Sequence, residues 1–519
     1  MTISIRSAGP ADIKRAKIYS NEDDSKTSDL RGGLIRLMYY ESLLQDTVRA
    51  TVSYVDTGAT VEKDGKLVSA MEGLPIVGQE KFELVFTDNN GNEIDFTVDG
   101  ENALYVNKVT PVFDDTSKSL VMLDLVSKEY ILNEKIRLNT RFDGHIHEHV
   151  KDILTKQTGD DKSSHLYLDT KKDVDIEETE GMYNFCGDNR KPFYCMNWLS
   201  KKAVPGADGN AKAANNGGNS AGYFLWETGP STDSDGETVN GGFHFKSIDW
   251  LMNKETNPKK KSIIYTGTSD AAGEKIPQDY DMKALAAEKE SLVDIQKKLQ
   301  MGAYSTRTVV FNPFNCIYEV ITPNAYGDES TRASQDNLEL AGEKLPVMNK
   351  EFDMDSREGG DSSTPAAGTD DSNNKGEISE SKEFSRTQYM LLDPGTLIAE
   401  GGKPENWADV TRAQLAEAQT KENFEVKNIL NQSSMRYNQL FCTKITVTIP
   451  GDFSLHAGDS IFFDGPELTE SENKDSIDEK DGGLYIISDI CHYISDKETF
   501  TKMNLVRDSI DRKGSPSGG

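Results

Sequence analysis

Long apolar runs are missing from this chain of 519 residues. Nowhere do the ~18 consecutive apolar residues of a membrane-crossing helix occur. The opening residues, MTISIRSAGPADIKRAK, have no apolar stretch of the kind a secretory signal requires. The sequence therefore predicts a soluble protein that is not secreted by the usual route. Cysteine is scarce as well. There are five, Cys186, Cys195, Cys316, Cys442 and Cys491, far apart, odd in number and without a CxxC. That speaks against a disulfide framework and fits assembly in a reducing cytoplasm. Basic residues are outnumbered, 58 against 87 acidic, for a formal charge of −29. Residues 351–383 hold ten acids and three bases, and residues 466–481 seven acids and two bases. Without clustered Lys and Arg the chain is not expected to grip nucleic-acid phosphates. An acidic protein can nevertheless sit beside DNA without sticking to it.

Hydrophobic residues make up only 36% of the chain and the mean hydropathy is −0.60. Part of it must therefore be solvated loop. The length predicts about two to four domains.

Residues 1–31 are polar and read as an extension. From Gly32 to about Arg141 the stretches LIRLMYYESLLQDTVRATVSYV, KFELVFTD, EIDFTV and LYVNKVTPVFDDTSKSLVMLDLVS alternate or run apolar with β-branched residues. Asn89-Asn90-Gly91-Asn92 between two of them signals a hairpin, and short strands at this spacing argue for a sandwich or barrel. HIHEHVKDILTK places Ile146, Val150, Ile153 and Leu154 at helical spacing, and FYCMNWLSKKAVP reads as a second helix stopped by Pro205. GYFLWET and GGFHFKSIDWLM read as paired strands around an Asp/Ser/Gly-rich hairpin.

Met282–Met301 reads as a helix with Leu285, Leu292, Ile295 and Leu299 on one side. STRTVVFNPFNCIYEVITP returns to sheet, and FDMDSREGGDSSTPAAGTDDSNNKGEISESKEF should be flexible. DVTRAQLAEAQ and KENFEVKNILNQSSMRYNQL read as helices. Two strand pairs close the chain, FCTKITVTIPG with SIFFDG and GGLYIISDICHYISD with TFTKMNLVRD. In FSLHAGDSIFFDG, Gly458 supplies the positive φ of a tight turn, and Asp459 can bond amides within it. The second half resembles the first in kind, strands plus a helix, but no repeat is visible in the residues themselves.

Candidate chemical motifs fail on context. Gly218-Asn219-Ser220-Ala221-Gly222 matches GxSxG, but the nucleophile elbow needs a strand before the serine and a helix after it, and here a loop enters and a strand leaves. His145, His147 and His149 would line one face of a strand and could hold zinc. In a helix they splay, and only His145 and His149 could share a face. In Gly267–Lys275, Glu274 stands where a phosphate loop needs its lysine. The hairpin STDSDGETVNGG lacks the EF-hand pattern. No pair of carboxylates singles itself out for glycoside cleavage. No catalytic, cofactor-binding or metal-binding residue is assigned, and the chain is not expected to be an enzyme.

Several of these stretches together resemble the central baseplate hub protein of contractile-tailed bacteriophages of the T-even type. They are the β run from Gly32 to Arg141 with the helix HVKDILTK, the helix FYCMNWLSKKAV, and the strand pair GYFLWET/GFHFKSIDWLM. Most telling is the C-terminal order ENFEVKNILNQSSMRYNQL, CTKITVTIPGDFSLHAGDSIFF, YIISDICHYISDKETFTKMNLV, with Leu455 and Gly458 at the family's Leu-x-x-Gly turn. The resemblance implies a mixed, β-rich α+β, multidomain fold with two tail-tube-like β-barrel domains, a middle α/β domain and a long flexible insert. Its segments are an N-terminal extension (1–31), a first tube-like domain (32–144), a middle domain (145–280), a second tube-like domain (281–348 and 425–508), a polar, partly disordered insert (349–424) and a tail (509–519).

It further implies a homotrimer acting as a symmetry adapter between a three-fold spike and a six-fold tail tube and as a platform for tube assembly. A central channel would pass DNA, and the partners would be a lysozyme-like or β-helical spike, tube protein, tape-measure protein and other baseplate proteins. The place implied is the virion tail baseplate, assembled in the host cytoplasm, with no cofactor, no specific nucleic-acid binding and no membrane span. Competing readings are the hub module of another contractile injection machine, such as a type VI secretion spike, and a virion-associated hydrolase using Ser220 or a pair of carboxylates.

Overall fold

The computed structural model describes residues 9–23, 25–58, 60–63, 65–97, 101–115, 117–157, 166–206, 221–234, 236–265, 279–290, 294–302, 306–312, 316–321, 385–391, 426–441, 443–465, 482–508 and 515. Most of the strands join one hydrogen-bonded network of 17. Six form a first unit: β1 (Asp12–Tyr19), β2 (Leu34–Ser42), β3 (Arg49–Asp56), β4 (Lys81–Thr87), β5 (Leu104–Asp114) and β6 (Ser119–Ser127). They are followed by the helices α1 (Lys128–Lys135), α2 (Ile146–Thr155) and α3 (Pro192–Ser200). A separate three-stranded sheet holds β7 (Asp173–Ile176), β8 (Tyr223–Thr228) and β9 (Gly242–Ser247), with β9 central, and α4 (Ile248–Met252) leaves it. Six more strands form a second unit: β10 (Lys261–Ile264), β11 (Ala286–Lys289), β12 (Thr443–Pro450), β13 (Ser460–Asp464), β14 (Gly483–Ser495) and β15 (Thr499–Arg507). The helix α5 (Val426–Leu440) precedes β12.

The two units have one strand order. The first runs β1-β4-β5-β6-β3-β2 across the sheet. The second runs β10-β13-β14-β15-β12-β11. Numbered along the chain within each unit, both read first, fourth, fifth, sixth, third, second. They differ in the outermost pair, antiparallel in the first unit and parallel in the second. Each unit buries one face in a core of its own.

The repeat reaches single residues. A β-bulge interrupts β5–β6 at Asn107, between the pairs Lys108↔Asp124 and Val106↔Leu125. Another interrupts β14–β15 at Ser488, between Asp489↔Asn504 and Ile487↔Leu505. Thr51 stands opposite Asp124 and donates its hydroxyl to that carboxylate at 3.2 Å. Thr446 stands opposite Asn504 and donates to its amide oxygen at 2.9 Å. With these pairs aligned, Arg49-Ala50-Thr51-Val52-Ser53 matches Lys444-Ile445-Thr446-Val447-Thr448, and Leu123-Asp124-Leu125-Val126 matches Met503-Asn504-Leu505-Val506. The repeat is thus present in the residues, contrary to the reading of the sequence alone. It hides because equivalent strands are separated by connections of different length.

Other expectations need correction. No closed barrel is found among the described residues; the units are stretches of one open network. Asp12–Tyr19 is a strand of the first unit and no extension. It pairs with β4 and buries Ala16 and Ile18, while Lys14 and Arg15 face water and pair with Glu93 and Glu83. One wet face made it read as a polar tail. Lys261–Ile264 belongs to the second unit rather than the middle domain.

Among the described residues of Met282–Met301 the helix covers Ile295–Met301, and the start forms the strands Met282–Lys283 and Ala286–Lys289. Met282 and Ala284 are buried while Leu285 is exposed, the period of a strand whose partners, Ile263 and Thr448, lie far along the chain. Strands β12 and β13 do not pair with each other. β12 lies between β15 and β11, and β13 between β14 and β10.

Within the expected insert, Arg386–Leu391 is a strand parallel to Thr306–Asn312. Residues 349–384 and 392–424, the acidic stretch 466–481, the expected helix DVTRAQLAEAQ, Ser220, Gly267–Lys275 and the tail apart from Ser515 lie outside the described residues. The expected hairpin at Asn89–Asn92 does join Lys81–Thr87 to Glu93–Asp95. The two middle strands pair antiparallel as read, β8 with β9. α3 ends at Ser200, short of Pro205.

Candidate functional site

The seam between the two units is the most built feature of the molecule. Along it β2 pairs with the second half of β14, from Arg36↔Ser495 to Ser42↔Asp489. The first half of that long strand pairs with β13, so β14 belongs to both neighbours. Its alternation follows from the pleat. Ile490, His492 and Ile494 point into the buried side, with Leu37, Tyr39 and Glu41 of β2 beside them. Asp489, Cys491, Tyr493 and Ser495 point to the other side, with Arg36, Met38, Tyr40 and Ser42.

The loop Gly451–Asp459 crosses the seam. Phe453 leaves the second unit and packs in the core of the first, edge-on to Phe86 at 5.0 Å. The Phe453 amide donates to Asp88 at 3.0 Å, and Asn92 donates to Asp452 at 3.1 Å. Gly458 has φ of +93° and lies against Trp226, whose indole N–H donates to the Ala457 carbonyl at 3.0 Å. Asp459 accepts the His456 amide at 2.9 Å, the turn bond expected of it. The expected barrel corner is instead a strap from one unit into the next.

Three buried ionic clusters fasten the parts together. Glu41 accepts from the Tyr39 hydroxyl at 2.6 Å and from the amides of Gly229 and Ala457 and the His456 ring, each at 2.9 Å. Burial alone would raise this carboxyl, but the His456 ring and the other donors bring it down to about 2. Burial would lower His456, and the Glu41 carboxylate outweighs it, so the ring is raised. The far ring nitrogen of His456 lies 2.7 Å from the Ser231 hydroxyl.

Serine, histidine and carboxylate in line have the geometry of a nucleophilic triad. A ring that holds both protons donates at both nitrogens and makes Ser231 an acceptor, and the Glu41 carboxylate beside it favours that form. All three side chains are buried. The trio is a clamp between the units.

In the second cluster Lys172 binds Glu129 at 2.8 Å and Glu227 at 2.6 Å. Glu227 also accepts from Ser127 at 2.6 Å and from the Val48 amide at 3.0 Å, tying the middle sheet to the first unit. In the third, Arg436 of α5 binds Asp249 at 2.7 Å and Asp508 at 3.0 Å. Sequence reading found none of these clusters, whose oppositely charged partners stand 43 to 415 residues apart. The only local signal was a charged or histidine side chain beside apolar neighbours.

The other face of the seam is polar and open. A cleft of about 580 Å³ lies across it, lined by Tyr40, Arg49, Asp124, Asp489, Cys491 and Lys502 among others. Asp489 accepts from Ser42 at 2.6 Å and from Asn504 at 3.1 Å, and burial pushes the Cys491 thiol up to about 11.

The rings of His145 and His147 stack 5.4 Å apart, but each of the three histidines bonds a partner of its own. His145 caps α2 and bonds the Gly181 carbonyl at 3.0 Å, His147 bonds Thr179 at 3.1 Å, and buried His149 bonds the Tyr183 carbonyl at 2.7 Å. No group of ligands fit for a metal occurs among the described residues. In the Asp-rich hairpin, Asp233 accepts the Glu237 amide at 2.9 Å and so holds its own turn.

No protein-family model matches the chain, and no curated protein matches it. Solved structures do. The chain is similar to the tail protein from Neisseria meningitidis MC58, with 9% identity over 96% of this chain and 98% of that one and a TM-score of 0.43. It is similar to the 43 kDa tail protein of prophage MuSo2 from Shewanella oneidensis, with 11% identity over 96% and 100% and a TM-score of 0.42. It is also similar to an E. coli component of the type VI secretion system, described as structurally similar to T4 bacteriophage tail proteins, with 7% identity over 93% and 76% and a TM-score of 0.35.

Proposed function

We propose that this chain is a structural hub of a phage-type tail baseplate, in which three copies close a ring of six nearly equivalent wall units. The observation that carries this reading is the internal repeat: two six-stranded units of one order, with matching bulges and matching Thr51–Asp124 and Thr446–Asn504 bonds. A chain carrying two such units turns a three-fold assembly into an approximate six-fold one, which is what a joint between a three-fold spike and a six-fold tube requires. The buried clusters hold each pair of units rigid. In this reading the polar face of the seam is the channel wall. Arg36, Arg49, Lys108, Lys444 and Lys502 stand there among Asp124, Asp489 and Glu288. Interspersed charge of both signs offers passing DNA no continuous cationic track.

The partners are then spike, tube, tape-measure and other baseplate proteins, and the place is the virion tail after assembly in the host cytoplasm. No described helix is long and apolar enough to cross a membrane. The role is structural, without catalysis. Sedimentation of the purified chain, alone and with its spike, tests this. A species of three times the 57.5 kDa chain is expected in at least the second case, and a monomer in both overturns it.

A further inference from the structure

We infer that the outer edge of β5, from Lys108 to Asp114, is an interface for a second copy of this chain, whose β11 continues the sheet there in the register that β14 and β2 keep within one chain. This rests on the three-chain reading above and adds which edges meet and in what register. Inside the chain, the second strand of one unit lies against the fifth strand of the other. The reciprocal pair exists too: β5 is the fifth strand of the first unit, and β11 the second strand of the second. Among the described residues β5 pairs with β6 and, at its start, with β4, whereas β11 pairs with β12. Since the units share strand order, the rotation that carries the first onto the second carries the internal seam onto one between β11 and the next copy's β5. If that rotation is one sixth of a turn, repeating it closes the ring of the three-chain reading.

The register follows from the shared landmarks. Lys108 and Asp489 hold equivalent places just past the bulge, opposite Asp124 and Asn504. Thr110, opposite Met122, then takes the place of Cys491, opposite Lys502, and Phe113, opposite Leu120, that of Tyr493, opposite Phe500. Leu37 and Ala287 face Val52 and Val447, so Glu288 takes the place of Met38, and Glu290 that of Tyr40. The internal pairs Cys491↔Tyr40 and Tyr493↔Met38 therefore become Thr110 opposite Glu290 and Phe113 opposite Glu288.

The chemistry of the edge agrees. Val112 is 56% and Phe113 53% exposed, an apolar strand edge of the kind that soluble monomers avoid. In this register Lys108 lies diagonally across from Glu290 on the polar face, within reach of an opposite-charge pair. Glu290 already bonds Lys444 at 3.2 Å and would sit between two cations.

The test places Thr110→Cys and Glu290→Cys together in a chain whose exposed Cys186 and Cys316 are replaced by serine. The protein is oxidised with diamide and run on a non-reducing gel beside each single variant. Directly opposed strand residues lie close enough for a disulfide. Thiol-reversible bands of two and three chains, ending at three and missing from both single variants, are expected. If the chain sediments as a trimer and no such band forms, the edge assignment falls while the three-chain ring stands. If the parent never forms a trimer, both fall. A ladder running past three chains contradicts a closed ring. In a second variant, Val112→Asp with Phe113→Asp, the trimer should be lost while the urea midpoint of the monomer stays unchanged. A trimer that survives both substitutions overturns the proposal.

Discussion

Gly458 illustrates what one residue is asked to do. Its φ of +93° disfavours any residue with a Cβ, and a Cβ there would come within 2.8 Å of the Trp226 ring. Gly458→Ala should therefore cost about 1–3 kcal/mol in urea unfolding, and a loss below about 0.5 kcal/mol would show that the strap adjusts freely. Glu177 offers a second residue-scale test. Burial raises its carboxyl to about 7, despite the amide and hydroxyl of Ser247 that bond it. A carboxyl raised in the folded state binds more protons folded than unfolded between its two values. Its contribution therefore falls as pH rises from about 4.5 to 7. Glu177→Gln should make the protein more stable than the parent at pH 8, by on the order of a few kcal/mol, with the difference fading toward pH 4.5. Equal pH profiles would count against it. Gly458 and Asp459 were legible as turn residues because turn chemistry is local. Trp226, Glu41 and Glu177 were not, because their partners come from distant strands.

Among elements, strand β1 departs most from its sequence reading. Its alternation of Ala16 and Ile18 with Lys and Arg is a half-wet strand, but three of the charged side chains face water and made it look like a tail. Ile18 is fully buried in the first core. Ile18→Ala should cost about 2–5 kcal/mol in thermal or urea melts. A change near zero would mean that β1 does not hold the first unit together. The helices α2 and α3, apart from where α3 ends, and the pairs β8–β9 and β14–β15 were read correctly, since each is set by periodicity within a short window. Met282–Lys289 was not, because Ile263 and Thr448 decide its state from across the sheet. The repeat escaped notice for a related reason. Thr51-Val52 and Thr446-Val447 become comparable only once Asp124 and Asn504 are seen opposite them.

At the scale of the whole molecule, two units share one strand order and are welded side by side through β2 and β14. Expecting two matched halves was sound in kind. The expected closed barrels are not found among the described residues, and a unit with a neighbour on its edge has no need to close on itself. The second strand of the second unit and the fifth strand of the first lie at the ends where the next copy would join. The central claim is a ring of three chains and six wall units, and an electron-microscopic image of the purified particle viewed down its axis tests it most directly. Six evenly spaced lobes around an open channel, with three-fold symmetry once the outer features are resolved, are predicted; a particle with three lobes, or with no ring at all, would contradict it.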